Sequence, residues 1–540
     1  MQEKIKKIIL KALENLDMKV ESIVLEHPAD LKMGDYSTSV AMVLAKSAKA
    51  NPRELAEKIA EALRKTKGDL LGRIEVAGAG FINFHLSSEF FADSVEEAIK
   101  EKNFGKNKSL KGQKTMVEHT DPNPFKEFHV GHLMPNVIGS TVARILEWNG
   151  AEVKQACYQG DVGLHVAKAV WGYLHEKNWA TAYAYGSKTY EEDEKVRQEV
   201  AEINKKIYAQ SSELMKVYEE GKKLSLENFE KMYAKLGTKF DYYFFESEAS
   251  DFGKSVVEKN IGTIFERGEG GATIFKGERY DKSLHTRVFI NKDGLPTYEA
   301  KELGLAKIKY DKYKYDKSII ITGNEINEYF KVLICAMKQI FPELAEKTLH
   351  FSHGMLRLPV GKMSSRTGEV IKAVDLIEEV KKKVKDDERV AIGAIKYMIL
   401  RQSIGGDTIF DIEKSVSIEG DSGVYLQYAH ARACSILEKA KTEKVKPKAK
   451  LPDGWQTLEV EKLLYRFPEV VTRAGEEFAP HYIVNYLTEL ARAYNSFYGN
   501  AQIVKKDDPA SPYKVALSAA FARMMQNGLA ILGIAAPERM

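Results

Sequence analysis

Ile5, Ile8, Ile9, Ala12, Leu13 and Leu16 recur at the three- and four-residue spacing of one helix face, so the chain is predicted to open on an amphipathic helix. The apolar stretches Val40 to Ala45 and Leu55 to Leu63 read as two more helices. The second is started by Asn51-Pro52, a capping side chain followed by a residue suited to the first helical turn. The pattern then changes. Ile74-Glu75-Val76 and Phe81-Ile82-Asn83-Phe84-His85-Leu86 read as strands around Gly78 and Gly80. Lys100 to Lys114 is rich in Lys, Asn and Gly and poor in apolar residues, which predicts a linker.

A different rhythm follows. Thr115-Met116-Val117-Glu118 is a short predicted strand, followed by a Pro/Asn loop and a helix from about Gly131 to Trp148. Glu152 to Tyr158 is a second strand. Ile319-Ile320-Ile321-Thr322-Gly323 is a third, with a helix after it through Met337. Strand and helix in alternation imply a parallel, Rossmann-like sheet. Glu191 to Lys239 is long, charged and helical in pattern, and reads as an insertion. From about Asp386 strand signals fade. Val390 to Arg401, Tyr425 to Lys439, Leu458 to Phe478, Ile483 to Tyr498 and Tyr513 to Leu532 are amphipathic helix candidates, with a Lys/Pro-rich mobile loop expected from Thr442 to Gly454. The fold class predicted is α/β: residues 1–105 an α/β domain, 115–385 a Rossmann-like catalytic domain with a helical insertion at about 175–240, and 386–540 an all-helical bundle.

Composition changes this picture little. With 540 residues the chain has room for several cores, and its net charge of +4, from 81 basic and 77 acidic residues, does not by itself indicate nucleic-acid binding. Cys157, Cys335 and Cys434 are far apart with no Cys-x-x-Cys pair, so neither a structural zinc site nor a disulfide framework is expected. The charged N-terminal helix is unlike a signal peptide, and no apolar run approaches the ~20 residues of a membrane span. A soluble, cytoplasmic protein without a membrane partner is the expectation.

Two short motifs carry chemistry. His129-Val130-Gly131-His132 follows the predicted strand and opens the predicted helix. A helix N-terminus at a strand end attracts phosphate. Gly131 lets an adenine approach the backbone. Histidines three apart share a face and can hydrogen-bond a phosphate whose charge grows during attack. Taken alone, the motif also fits a capping His129 and an exposed His132. The second motif is Lys362-Met363-Ser364-Ser365-Arg366, with Gly361 and Gly368 at its ends. Its Lys and Arg are suited to neutralising the phosphates of ATP as pyrophosphate leaves.

Together, in this order and on either side of an α/β region, the motifs resemble the two ATP-binding signatures of class I aminoacyl-tRNA synthetases, and their flanks resemble the arginyl-tRNA synthetase family over nearly the whole chain. The resemblance implies ATP binding by His129, Gly131, His132, Lys362, Met363, Ser364 and Ser365, with His129, His132, Lys126, Lys362 and Arg366 catalytic. Arg366 stands where the consensus has a second Lys. It implies arginine binding by Glu118, Thr120, Asp121, Asn123 and His132. Phe244-Phe245-Glu246-Ser247-Glu248 resembles the family segment whose Glu contacts the guanidinium. Pro296-Thr297-Tyr298-Glu299-Ala300-Lys301-Glu302 resembles the one where a Tyr and, four residues on, an Asp hold the side chain, with Glu302 in place of the Asp. A carboxylate pair matches a planar guanidinium in charge and shape. Gly323-Asn324-Glu325 occupies the place of a family Gln or Thr, and Glu325 is the candidate there. Gly160-Asp161-Val162-Gly163 resembles the family's Gly-Asp-Trp-Gly loop.

Gly423 to Arg432 resembles the opening of that family's anticodon-binding helices, and aromatic and basic residues interleaved there suit unstacked bases. Tyr425, Gln427 and Arg432 are the candidates, with Phe81 and Asn83 of the first domain for the tRNA D-loop. The partners implied are tRNA(Arg), L-arginine and ATP accompanied by Mg2+, with no zinc and no protein metal site, in a monomer. Other class I synthetases would lack the Glu246 and Tyr298 segments, a small-molecule nucleotidyltransferase would need no helical domain after the second motif, and a silent paralogue would not need His129, His132 and Lys362.

Overall fold

The structure, a computed structural model, describes residues 1–359 and 371–540; the motif Lys362, Met363, Ser364, Ser365 and Arg366 lies outside the described residues. The N-terminal helix Gln2–Glu14 buries Ile5, Ile9, Ala12 and Leu13, while Ile8 and Leu16 are only partly covered. It packs with helices Val40–Ala48 and Pro52–Thr66 on an antiparallel sheet in the order Tyr36–Thr38, Phe81–Leu86, Leu71–Ala77. Asn51 caps the third helix, its side chain accepting from the Arg53 and Glu54 amides.

This domain meets the C-terminal bundle through Tyr465, Lys462 and, above all, the half-buried carboxylate of Glu469. Glu469 accepts from the Tyr36 hydroxyl at 2.7 Å, meets His27 Nε2 at 3.1 Å and lies 3.3 Å from the N-terminal amine. Burial opposes its charge, but the hydrogen bonds from His27 and Tyr36 and the N-terminal charge prevail and hold its pKa at about 2.

The middle of the chain builds a parallel sheet, five-stranded among the described residues, in the order Thr348–His353, Lys317–Gly323, Lys114–Glu118, Glu152–Gln159, Tyr242–Phe245. The central strand comes first, two strands are laid to one side, then two to the other. The order therefore reverses between Lys114–Glu118 and Lys317–Gly323, and the crevice beyond their carboxyl ends is where such sheets bind ligands. The six-residue strand Thr348–His353 is not among those expected from the sequence; Tyr242–Phe245 and a small antiparallel sheet of Glu266–Arg267, Thr273–Lys276 and Thr286–Ile290 have patterns too short to separate from loop.

Helical structure between the second and third strands begins at Leu164 and runs as Leu164–Glu176, Trp179–Glu192, Glu194–Tyr208 and Ser212–Leu236 around a core of its own, including Val166, Trp171, Val200 and Tyr218. Beyond residue 386 the described helices are Glu388–Leu400, Ile412–Ser415, Gly423–Thr442, Glu459–Leu464, Phe467–Glu476, Pro480–Asn500 and Ser511–Ile531. The all-helical expectation is corrected by the short strand Thr408–Ile409, which pairs with Leu356–Arg357. The continuous helix expected from Leu458 to Phe478 is broken after Leu464, since Pro468 fits only the first turn of a new helix. Residues 442–454 are not a free loop: the Lys448 amide donates to Pro512 O at 3.0 Å and Leu451 packs on the core. Among the described residues no helix is long and apolar enough to cross a membrane.

Candidate active site

Helix Val130–Trp148 starts where the central strand points. His129 caps it, Nδ1 accepting from the Gly131 amide at 3.0 Å, and His132 Nδ1 accepts from the His129 amide at 3.3 Å. The rings stack with centroids 3.8 Å apart. Because each Nδ1 accepts, the proton of each neutral ring sits on Nε2, which becomes a donor. Burial, and after it the positive charge of Lys126, lowers the pKa of His129; burial and then the His129 neighbour lower that of His132. The pair therefore acts as neutral hydrogen-bond donors.

Capping and chemistry coexist here, and His132 is buried rather than exposed. The helix amides themselves are spent. Val130 donates to Ile371 O, Gly131 to His129 Nδ1 and His132 to His129 O. The donors left at this helix start are thus the imidazole Nε2–H groups, with the Lys126 ammonium 4.9 Å from the Tyr183 ring of the insertion.

The loop before His129 is strained. Thr120, Asp121 and Phe125 have φ of 83°, 44° and 71°, a region non-glycine residues avoid. Each is held by partners. The Thr120 hydroxyl accepts from Asn136 at 3.1 Å and meets His119 Nδ1 at 2.8 Å, so Thr120, an arginine-binding candidate, braces the loop. Asp121 Oδ1 accepts from the Tyr158 amide at 2.7 Å. The Phe125 amide donates to Ser225 Oγ at 2.9 Å, and its ring lies 5.6 Å from Trp179 and 5.7 Å from Tyr218. The insertion thereby clamps the segment that carries Asn123 and Lys126.

Beside the loop is a cluster of buried charge. Glu118 is paired with Lys309 at 2.7 Å and Glu246 with Lys301 at 2.7 Å, all four side chains enclosed. Glu118 and Glu246, the arginine-binding candidates of this cluster, thus each already hold a cation, because bare buried carboxylates would be too costly. Asp121 and Glu302 form no ion pair among the described residues. Burial first, then the charge of Glu118, pushes Glu302 up to about 8 and raises Asp121 well above the usual carboxylate range. Four carboxylates face two ammonium groups, a surplus of two.

Asn123 joins them. A Cβ on Gly160 would come 2.2 Å from Asn123 Oδ1 and 3.1 Å from Glu246 Oε1, so only glycine lets these groups converge. Next to it, buried Asp161 accepts from Tyr218, Lys222 and both the amide and hydroxyl of Ser247, tying the insertion to the helix that carries Glu246.

Other candidates are placed differently. Tyr298 is 61% exposed, at the rim rather than inside, with the Lys301 ammonium 5.2 Å from its ring. Glu325 is exposed and folds back on Gly323, outside the carboxylate cluster. Phe81 is exposed, whereas Asn83 is buried and accepts from Ser37 Oγ at 2.7 Å. Tyr425 and Gln427 are buried, Gln427 donating to Ala535 O at 2.9 Å, so both serve the bundle's core. Arg432 is half-buried, its guanidinium 4.9 Å from the Tyr428 ring and 4.7 Å from the Tyr498 ring, with Tyr498 38% exposed. Lys301, Lys309 and Ser225 escaped notice in the sequence, where a lone Lys or Ser on a helix carries no signal.

Three family models cover the chain: the arginyl tRNA synthetase N terminal domain at residues 3–86, the catalytic domain of class I tRNA synthetases (R) at 94–411, and the DALR anticodon binding domain at 426–540. The chain belongs to the class I arginyl-tRNA synthetase family. Curated arginine–tRNA ligases resemble it end to end: that of Treponema denticola is 30% identical, covering 96% of this chain and 95% of its own, and that of Bacillus subtilis 29%, covering 100% and 98%. The solved arginyl-tRNA synthetase of Thermus thermophilus superposes with a TM-score of 0.79 at 23% identity over the full length of both chains, and that of Plasmodium falciparum with 0.78 at 18%, over 100% of this chain and 99% of that one. The likeness to these two structures concerns the fold: the family's α/β catalytic unit with a helical C-terminal domain.

Proposed function

We propose that the chain is an arginine–tRNA ligase, and that its specificity rests on the surplus of carboxylate at Asp121 and Glu302 beside the Glu118 and Glu246 ion pairs. A guanidinium is a planar cation with donors only. It would supply the positive charge that Asp121 and Glu302 lack and join Glu246 at its free oxygen. Asn123 takes the α-amino group. The neutral Nε2–H donors of His129 and His132, with Lys126, hold the triphosphate as the arginine carboxylate oxygen bonds to the α-phosphorus and the bond to pyrophosphate breaks. Lys362 and Arg366 neutralise the departing phosphates, with Mg2+ carried on the phosphate oxygens. The 2′-hydroxyl of the terminal adenosine then attacks the carbonyl carbon of the adenylate, and AMP leaves.

We assign residues 1–105 to tRNA contact through Phe81, 115–385 to catalysis and 386–540 to the anticodon, in a cytoplasmic monomer. Arginine activation depends on bound tRNA(Arg), in keeping with a loop strained at three residues that an RNA end can set. The test is ATP–pyrophosphate exchange with each amino acid, with and without tRNA. Exchange with arginine alone, and only with tRNA, is expected. Exchange with another amino acid overturns the arginine reading; full exchange without RNA overturns the dependence.

A further inference from the structure

Tyr158 lies at the carboxyl end of the strand Glu152–Gln159, immediately before Gly160. Its ring is packed with Met116, Phe244, Ala249 and Leu305, between the sheet and the helices Glu246–Lys259 and Tyr298–Lys312. Those helices meet closely because Gly253 has no Cβ, which would come 1.9 Å from Ala300 O. One carries Glu246 and the other Glu302 and Lys309, so the phenol is driven into the space between the carboxylates. The charges acting on its hydroxyl are those of Glu246, Glu302 and Glu118, with Tyr329 alongside. Yet this hydroxyl is buried and has no hydrogen-bond partner among the described residues. A buried polar group without a partner costs free energy, and native proteins leave few of them.

We propose that Tyr158 is a specificity-determining residue of the guanidinium pocket, its phenolic oxygen accepting a hydrogen bond from a guanidinium N–H while its own O–H turns to a carboxylate oxygen beside it. The inference rests on the arginine reading of the site. A donor-only cation has what this hydroxyl and the unpaired carboxylates can use: N–H groups for the phenolic oxygen and positive charge for Asp121 and Glu302. Burial keeps the phenol in its neutral form, the form that can both accept and donate.

Tyr158→Phe separates this role from a structural one. In the free enzyme the substitution removes an unpartnered polar atom, so Tm should stay or rise. In pyrophosphate exchange with tRNA present, KM for arginine should rise about tenfold or more, as for a lost hydrogen bond to a charged group, with KM for ATP unchanged and kcat nearly so. Tyr243→Phe, in the neighbouring strand, removes a hydroxyl bonded to Glu230 of the helix Ser212–Leu236 and should leave KM for arginine alone. An unchanged KM for arginine in Tyr158→Phe overturns the proposal, as does a lowered Tm with kcat and both KM values impaired together. Wild-type enzyme without arginine-dependent exchange would instead defeat the arginine reading itself.

Discussion

Arginine binding should expel a proton from the site, and Glu302 is the group to watch. In the empty pocket its pKa stands at about 8, against an ordinary 4.5, because burial and then the charge of Glu118 outweigh Lys309, with Glu246 and Glu299 adding to the rise and Asp121 beside it. At pH 7 about nine-tenths of empty sites therefore carry the proton. The guanidinium stays charged throughout and favours the ionised carboxylate, so only the remaining tenth is ready to bind. KM for arginine should then fall almost tenfold between pH 6 and 7, about fivefold more between pH 7 and 8, and level off above. The stability of the empty enzyme should run the other way. The folded state holds this proton where the unfolded chain has lost it, so stability is greatest below the ordinary 4.5, falls as pH rises from there to about 8 and levels off above; Tm without arginine should follow that fall and arginine should restore it. The assay is KM for arginine and for ATP in pyrophosphate exchange from pH 6 to 9, in wild type and Glu302→Gln. The variant should bind arginine weakly with a shallower profile, since only the raised Asp121 still titrates there. A flat wild-type profile, or a slope undiminished in Glu302→Gln, refutes the reasoning.

His129→Ala and His132→Ala should each slow adenylate formation by about a hundredfold or more, because each removes a preorganised donor to the phosphate; near-normal single-turnover rates would remove the pair from the mechanism. Ser225→Ala leaves the strained Phe125 amide without its acceptor and should lower kcat/KM for both arginine and ATP about tenfold, with Thr restoring activity, although Ser225 touches neither substrate; wild-type kinetics would show that the insertion does not set the loop. Tyr498→Ala breaks the Arg432 stack and should raise KM for tRNA, since stacking on a base is worth ~1–3 kcal/mol, while KM for arginine is unchanged. An unchanged KM for tRNA would send the search for the anticodon contact elsewhere on the bundle.

Much of the architecture is written locally. The helix from His129 and the strand before it follow from a cap, a glycine and an apolar run, all adjacent in the chain. The Asn51-Pro52 start and the long helices Pro480–Asn500 and Ser511–Ile531 are equally legible, since a helix face repeats within a few residues. The four-residue strand Tyr242–Phe245 is not, because so short a run has no period to read, and its pairing with Tyr158 and Cys157 is what makes it a strand.

The two signatures, with their neighbours Asn123, Glu246 and Glu302, are fixed by chain order, and they suffice to point to class I arginyl chemistry. Which carboxylates stand free was decided only by folding. Lys309 meets Glu118 across 191 residues and Lys301 meets Glu246 across 55, leaving Asp121 and Glu302 as the surplus. Burial decided the rest in the same way. It drew Tyr425, Gln427 and Asn83 inward, left Arg432 half-buried and Tyr498 outside, and set Tyr158 idle among acids. Backbone periodicity is a property of neighbours in sequence. Charge pairing and desolvation depend on every group that packing brings within a few ångströms, and those groups come from helices and strands that the chain order keeps far apart.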